Sequence, residues 1–392
     1  EEDRQKSNEA CSGLKALARR PPAVYYERML QVPFFDPRKS YYDNWEQGPF
    51  SAFADGVILP REDEARFEFL GLPLNYPFGI PAGPLLNSRF MKAAMEKGFD
   101  VPVYKTVRTH EKKCNEWPNV LPVVVEGDLT LEQAKKGLAV KDDYTEPLAI
   151  TNSFGNPSYP PEVWQKDVRE LMEFAKTRPG QIVEGMIEGT RWNKDDTDQD
   201  FINDWVLAAQ MMKDTGVHAI EANFSCPNEG DRVSRLLCYD AEMSGRIARA
   251  IKEKIGDTPL LIKVSYFEDD TEFRSLVQSV AGVVSGIAAI NTIPAPVYKK
   301  DGTQALPGGE WRLKSGICGA PVKWAGLEMV ARLKKMRDEL GVRYAIVGVG
   351  GVTTPKDFRE YRDAGADVVM SATGAMWNPY LAREIKEAYP DG

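Results

Sequence analysis

The strongest constraint on this chain is a rhythm that begins near residue 75. Short apolar runs rich in Val and Ile alternate, about eight times, with longer stretches whose apolar residues recur at helical spacing. Unbroken apolar runs of ~4–8 residues suit parallel strands covered on both faces, and the amphipathic stretches between them suit crossover helices. The candidate strands are 78–81, 101–106, 148–152, 182–187, 218–224, 259–264, 286–292 and 344–348, with 367–371 as a ninth. The clearest helical stretches are 161–176, 201–215, 241–255, 321–340 and 355–364. This alternation predicts an α/β fold, a (β/α)8 TIM barrel, over an open doubly wound sheet. No GxGxxG follows a strand, which argues further against a dinucleotide-binding sheet.

The first seventy residues break the rhythm, being rich in Arg, Tyr, Phe and Pro with irregular apolar spacing. We read 1–70 as an N-terminal extension wrapping the barrel and 71–392 as the catalytic barrel. The aromatic residues of the extension are expected to pack on the outer helices, with capping of a pocket as the alternative. A chain of 392 residues has no need of disulfide stapling, and five widely spaced cysteines, an odd number without CxxC, fit neither a disulfide framework nor a metal site. A reducing, cytoplasmic setting is expected. Fifty basic against 58 acidic side chains leave a net charge of −8, so nucleic acid is not an expected partner. No apolar run approaches the ~18 residues that span a bilayer. The acidic opening EEDRQKSNEA is not expected to serve as a signal peptide.

In such a barrel the chemistry gathers at the C-terminal ends of the strands, where the βα loops meet. Those positions hold Lys105-Thr106, Asn152-Ser153, Asn223 to Cys226, Lys263, Asn291-Thr292, Gly348 to Gly351 and Ser371 to Gly374. Cys226 sits between Asn223 and Asn228, a thiol flanked by amides suited to a planar amide or imide. Position alone leaves open whether Cys226 is a general base or a small buried hydrophobe. Lys105 and Lys263 offer either structural ion pairs or fixed positive charge to an anionic ligand. The glycines after the last two strands, Gly350 and Gly351, then Gly374 behind Ala372-Thr373, suit a phosphate site, although tight βα turns also need glycine. Ser315, Gly316 and Gly319 read as a third flexible loop on that face. His110 and His218 lack metal-ligand partners and are read as structural, and no metal site is expected.

Together these loops resemble the dihydroorotate dehydrogenases, FMN-dependent barrels that oxidise dihydroorotate in pyrimidine biosynthesis. The most specific match is Asn223-Phe224-Ser225-Cys226-Pro227-Asn228, similar to Asn-Leu-Ser-Cys-Pro-Asn, whose cysteine marks the class 1 enzymes. The resemblance implies that Cys226 is the base for the C5 proton while hydride passes from C6 to flavin N5. It implies substrate contacts from Lys105, Asn152, Phe154, Gly155, Asn223, Asn228, Asn291 and Thr292. FMN is implied to meet Ala82, Gly83, Lys105, Thr106, Lys263, Ser315, Gly316, Gly319, Gly350, Gly351, Ala372 and Thr373. Phe154, Phe224, Thr292 and Ala372 depart from the usual Met, Leu, Ser and Gly, Pro81-Ala82-Gly83 stands for Ala-Ser-Gly, and 107–144 is longer than expected. The implied partner is a small-molecule substrate, with no membrane and with a homodimer as one option. The electron acceptor stays open among fumarate, a quinone and a partner flavoprotein. Alternatives are a flavin barrel acting on reduced pyrimidine bases like the catalytic part of dihydropyrimidine dehydrogenase, against which Asn228 stands, and a flavin-free barrel lyase or binding protein.

Overall fold

The computed structural model describes residues 30, 32–60, 64–225 and 236–392. Eight parallel strands close into a barrel in chain order. They are β1 (Phe78–Ile80), β2 (Val101–Val107), β3 (Glu184–Ile187), β4 (Ala219–Asn223), β5 (Leu260–Val264), β6 (Gly286–Ala289), β7 (Ala345–Val349) and β8 (Val368–Met370), and β8 pairs back onto β1. Crossover helices link them, among them Pro161–Ala175, Asp198–Lys213, Ala241–Ile255, Asp270–Val280, Lys323–Leu340 and Pro355–Ala364. Their starts follow from local chemistry. Thr197 with Asp200, and Thr354 with Asp357, form reciprocal capping boxes that satisfy the first free N–H groups.

The alternation of side chains along each strand divides the core in two. Residues facing outward pack under the helices, whereas Val101, Val103, Met186, Ala219, Leu261, Ala288, Val347 and Met370 fill the barrel interior. An antiparallel hairpin, Phe67–Phe69 with Leu72–Leu74, straddles residue 70 and contributes Phe69 and Leu74 to that interior cluster. One aromatic of the extension packs on an outer helix as expected, Phe34 meeting Phe90 of the helix Ser88–Glu96 edge-on with ring centres 6.3 Å apart. Phe34 stacks on Phe53 with ring centres 4.0 Å apart, and Trp45 lies 4.2 Å from Tyr159. Phe35 does what the alternative foresaw and reaches the cavity described below.

Two expectations need correction. The run 148–152 is not a barrel strand. Ala149–Asn152 pairs antiparallel with Lys314–Gly319 in a separate four-stranded sheet completed by Ile293–Tyr298 and Leu138–Ala139, and 367–371 supplies the eighth barrel strand instead. An apolar run states that a strand is buried, not which sheet buries it. Residues 315–319 are likewise not a flexible loop but the heart of that sheet. Their glycines serve close approach: a Cβ on Gly316 would stand 2.3 Å from Thr292 Oγ1, and one on Gly319 2.0 Å from the Leu148 carbonyl.

Arg312 staples this sheet to the long 107–144 segment. Its buried guanidinium donates to the carbonyls of Glu116 (2.6 Å), Pro307 (2.7 Å), Pro118 (2.9 Å) and Ser153 (3.0 Å), and to Ser153 Oγ (3.0 Å). Five acceptors lose their donor together in Arg312→Ala, so urea denaturation is expected to show a loss of about 3 kcal/mol or more.

Candidate active site

The barrel mouth and the four-stranded sheet border a cavity whose empty space, counted out to where it opens to solvent, is about 960 Å³. Period-2 alternation carries Lys105 of β2, Asn223 of β4 and Lys263 of β5 inward at the C-terminal end, and all three line the wall. Thr106 of β2 joins them, with Ala82, Gly83, Asn291, Ala372 and Thr373 from the segments that follow the strands. The sheet supplies Asn152, Ile150 and Cys318, Thr292 comes from just before its strand Ile293–Tyr298, and Phe154 stands beyond it with Phe35 edge-on at 5.7 Å. Other expected residues lie behind this wall. Gly155, at φ +73°, closes its loop so tightly that a Cβ would lie 2.6 Å from Asn115 Oδ1. Ser315, Gly316 and Gly319 are on the strand whose Cys318 reaches the cavity, and Gly350 and Gly351 follow Val349, which does too. Cys226 and Asn228 lie outside the described residues.

The wall is polar in an ordered way. Arg108 and Glu188, directly after β2 and β3, form a buried ion pair at 2.9 Å. Glu188 Oε2 accepts from Asn223 Nδ2 at 3.0 Å and also from Asn156 Nδ2. Asn223 Oδ1 accepts from Ser225, through its N–H at 3.3 Å and its hydroxyl at 3.2 Å. Asn291 Nδ2 in turn donates to Ser225 O at 3.1 Å and Oγ at 3.2 Å. Sequence reading missed Arg108, Asn156 and Glu188. The end-of-strand rule that singles out Asn223 would have covered Glu188, one residue past the 182–187 run. Asn156 carries a different signal, a residue type that tolerates the positive φ (+45°) found there.

Deeper in the barrel, Glu184 and Glu221 break the apolar runs of β3 and β4. Lys263 Nζ lies 3.9 Å from Glu221, both side chains being buried, and makes no hydrogen bond among the described residues. Neither oxygen of Glu184 has a hydrogen-bond partner among the described residues. Burial, reinforced by the Glu221 charge and opposed by Lys263, pushes the Glu184 carboxyl well up. Burial pushes the Glu221 carboxyl up as well, opposed by Lys263, and the Lys263 ammonium down, opposed by both carboxylates. Burial lifts the Cys318 thiol to about 11 against the opposing Thr373 hydroxyl, and Cys114 to about 12 against Lys105 and Arg312. His218 accepts from the Val183 N–H at 2.9 Å at the opposite end of the barrel, and His110 packs edge-on to Trp192, so neither enters the site.

Comparison with known proteins reinforces this geometry. The family model for dihydroorotate dehydrogenase matches residues 147–391. A dihydroorotate dehydrogenase of Dictyostelium discoideum is 36% identical over 367 residues, covering 90% of this chain and 96% of that protein. The chain belongs to the dihydroorotate dehydrogenase family. That makes it a member of an oxidoreductase family. A quinone-dependent dihydroorotate dehydrogenase of Thermobifida fusca is 26% identical over 84% of this chain and 80% of that protein. The catalytic subunit of an NAD(+)-dependent form from Thermodesulfovibrio yellowstonii is 24% identical over 69% of the chain and 80% of that protein. Among the described residues no helix is long and apolar enough to cross a membrane.

The buried carboxyl of this dihydroorotate dehydrogenase family member has a pH signature. A carboxyl raised by folding lends stability below its unfolded value of about 4.3 and loses it as pH rises. Glu184→Gln is therefore expected to gain on the parent in melting temperature between pH 4.5 and pH 8, about those two settings being enough to see the trend. An equal difference at both would mean that Glu184 is ionised in the fold.

Proposed function

We propose that this chain oxidises dihydroorotate to orotate with bound FMN in the cavity between barrel and sheet. The observation that carries the reading is convergence: Lys105, Lys263, Asn152, Asn223 and Asn291 arrive from five separate segments at one cavity wall. Membership of the dihydroorotate dehydrogenase family supports the same reaction.

The wall suits FMN. Lys263 Nζ and Thr292 Oγ1 are buried polar atoms without a hydrogen-bond partner among the described residues, which calls for a polar ligand. Lys263 would hold the carbonyl edge of the isoalloxazine, with Ala82, Gly83, Lys105 and Thr106 beside the ring. Gly350, Gly351, Ala372 and Thr373 would hold the ribityl phosphate, after β7 and β8 where such barrels commonly bind phosphate. When bound, FMN accepts the two electrons taken from dihydroorotate.

The chain's own residues do the rest. The amides of Asn152, Asn223 and Asn291 match the in-plane donors and acceptors of a pyrimidine ring and hold it flat. Phe154, Phe35 and Val120 add apolar wall that limits water. Lys105 sets positive charge beside an anionic carboxylate substrate. Cys226, by its resemblance to the class 1 residue, takes the C5 proton. This assigns proton transfer to a residue next to Ser225, which the amide network already anchors.

The purified protein is expected to absorb near about 450 nm and to bleach anaerobically with dihydroorotate but not with dihydrouracil or dihydrothymine. Bleaching by the uncharged bases instead would replace this substrate. Cys226→Ser is expected to slow bleaching by about 100-fold at neutral pH and to move its pH profile upward. Unchanged rates would remove Cys226 from the reaction.

A further inference from the structure

Inside the barrel one lysine and two carboxylates descend in a column. Lys263 of β5 is level with Asn223 of β4, and both line the cavity. Glu221 is two residues deeper on β4, about 7 Å along the strand, and Glu184 of β3 is level with Ala219, two residues deeper again. Neither Glu221 nor Glu184 lines the cavity. The acids therefore do not touch a ligand, and whatever they do for one they do through Lys263. The interior offers this lysine little else. Its side chain is 5% exposed, that of Glu221 1%, and Nζ has no hydrogen-bond partner among the described residues. The strand on its other side, β6, is Gly286–Ala289 and carries no charge, while Lys105 on the same wall carries a like one. Of the two carboxylates that act on it, Glu221 is the stronger and Glu184 the weaker. An ammonium so placed depends on its counter-charge, because burial alone favours the neutral amine.

We propose that Glu221 is a positioning residue, the counter-ion that keeps Lys263 an ammonium at the cavity floor, so that the site favours the reduced, electron-rich form of its cofactor. The proposal rests on the reading that FMN occupies this cavity, and it adds a residue that no ligand contacts. Direction is what makes the pair effective. The carboxylate sits a layer below the ammonium, so the pair turns its positive end to the cavity and its negative end to the barrel interior. Positive charge on that side stabilises negative charge gained by a ring above it. A neutral amine at 263 would fill the same space and lose that attraction.

The midpoint potential of the flavin in the full-length holoprotein, read anaerobically against redox dyes across pH, tests this without turnover. In Glu221→Gln the lysine loses its counter-ion and regains its proton only when the ring above it becomes negative. The preference for the reduced form is expected to fall about tenfold or more near about pH 8, which is about 30 mV for a two-electron couple. Uptake of that extra proton also steepens the pH dependence of the potential by about a further 30 mV per pH unit. Adding Lys263→Arg to Glu221→Gln is expected to remove the added slope, since a guanidinium keeps its charge unaided. Glu221→Asp, which keeps the charge but draws it back, is expected to show the same steepening at a higher pH, and it carries the test if Glu221→Gln does not hold FMN. A potential and slope equal to the parent's in the variant that carries the test would overturn the proposal. So would a potential raised in Glu221→Gln, which would mean that the carboxylate only dilutes the lysine's charge. A parent that holds no flavin would overturn the functional reading itself, and the two failures are thereby told apart.

Discussion

Closing eight parallel strands into a ring removes every edge of that sheet and leaves an interior packed with apolar side chains. In that medium a charge must be paired, neutralised or carried to the rim. The polar side chains of β2 to β5 obey this in sequence. Glu184, with no hydrogen-bond partner among the described residues, has its carboxyl pushed up by burial; Glu221 lies beside Lys263; and Lys105, Asn223 and Lys263 come at the rim, where the cavity begins. The position of the site is thus a consequence of barrel closure, and its electrostatic floor is a consequence of where the strands place two carboxylates.

A barrel mouth alone is open to water. Here a second sheet and the N-terminal segment cover it, contributing Asn152, Thr292, Phe154 and Phe35 to a wall that the strands could not supply. The cover is held by main-chain pairing between Ala149–Asn152 and Lys314–Gly319 and by the Arg312 guanidinium, which gathers carbonyls from three stretches of chain. Fixed cover matters to oxidation chemistry, because water that competes for amide groups weakens both orientation and discrimination.

Much of this was legible in the chain. Strand and helix periodicity gave the barrel, and the end-of-strand rule gave Lys105, Asn223, Lys263 and Asn291, which share one wall with Asn152 of the second sheet. The reading failed where local pattern is silent about partners. Residues 149–152 have the apolar character of a barrel strand yet pair elsewhere, and the glycines at 316 and 319 looked like loop residues although they permit close strand contact. Glu184 and Glu221 stand out in the sequence as carboxylates inside apolar runs, but their mutual effect needs a third strand's lysine to be interpreted.

What the sequence by itself determined was the order and period of the elements, and with it the end of the barrel at which chemistry gathers, because side-chain alternation and βα connectivity are properties of the local chain. Tertiary structure alone decided which polar groups touch. Arg108, Asn156, Glu188, Asn223 and Asn291 come from distant stretches, and hydrogen-bond polarity is a relation between atoms in space that no single stretch of chain carries.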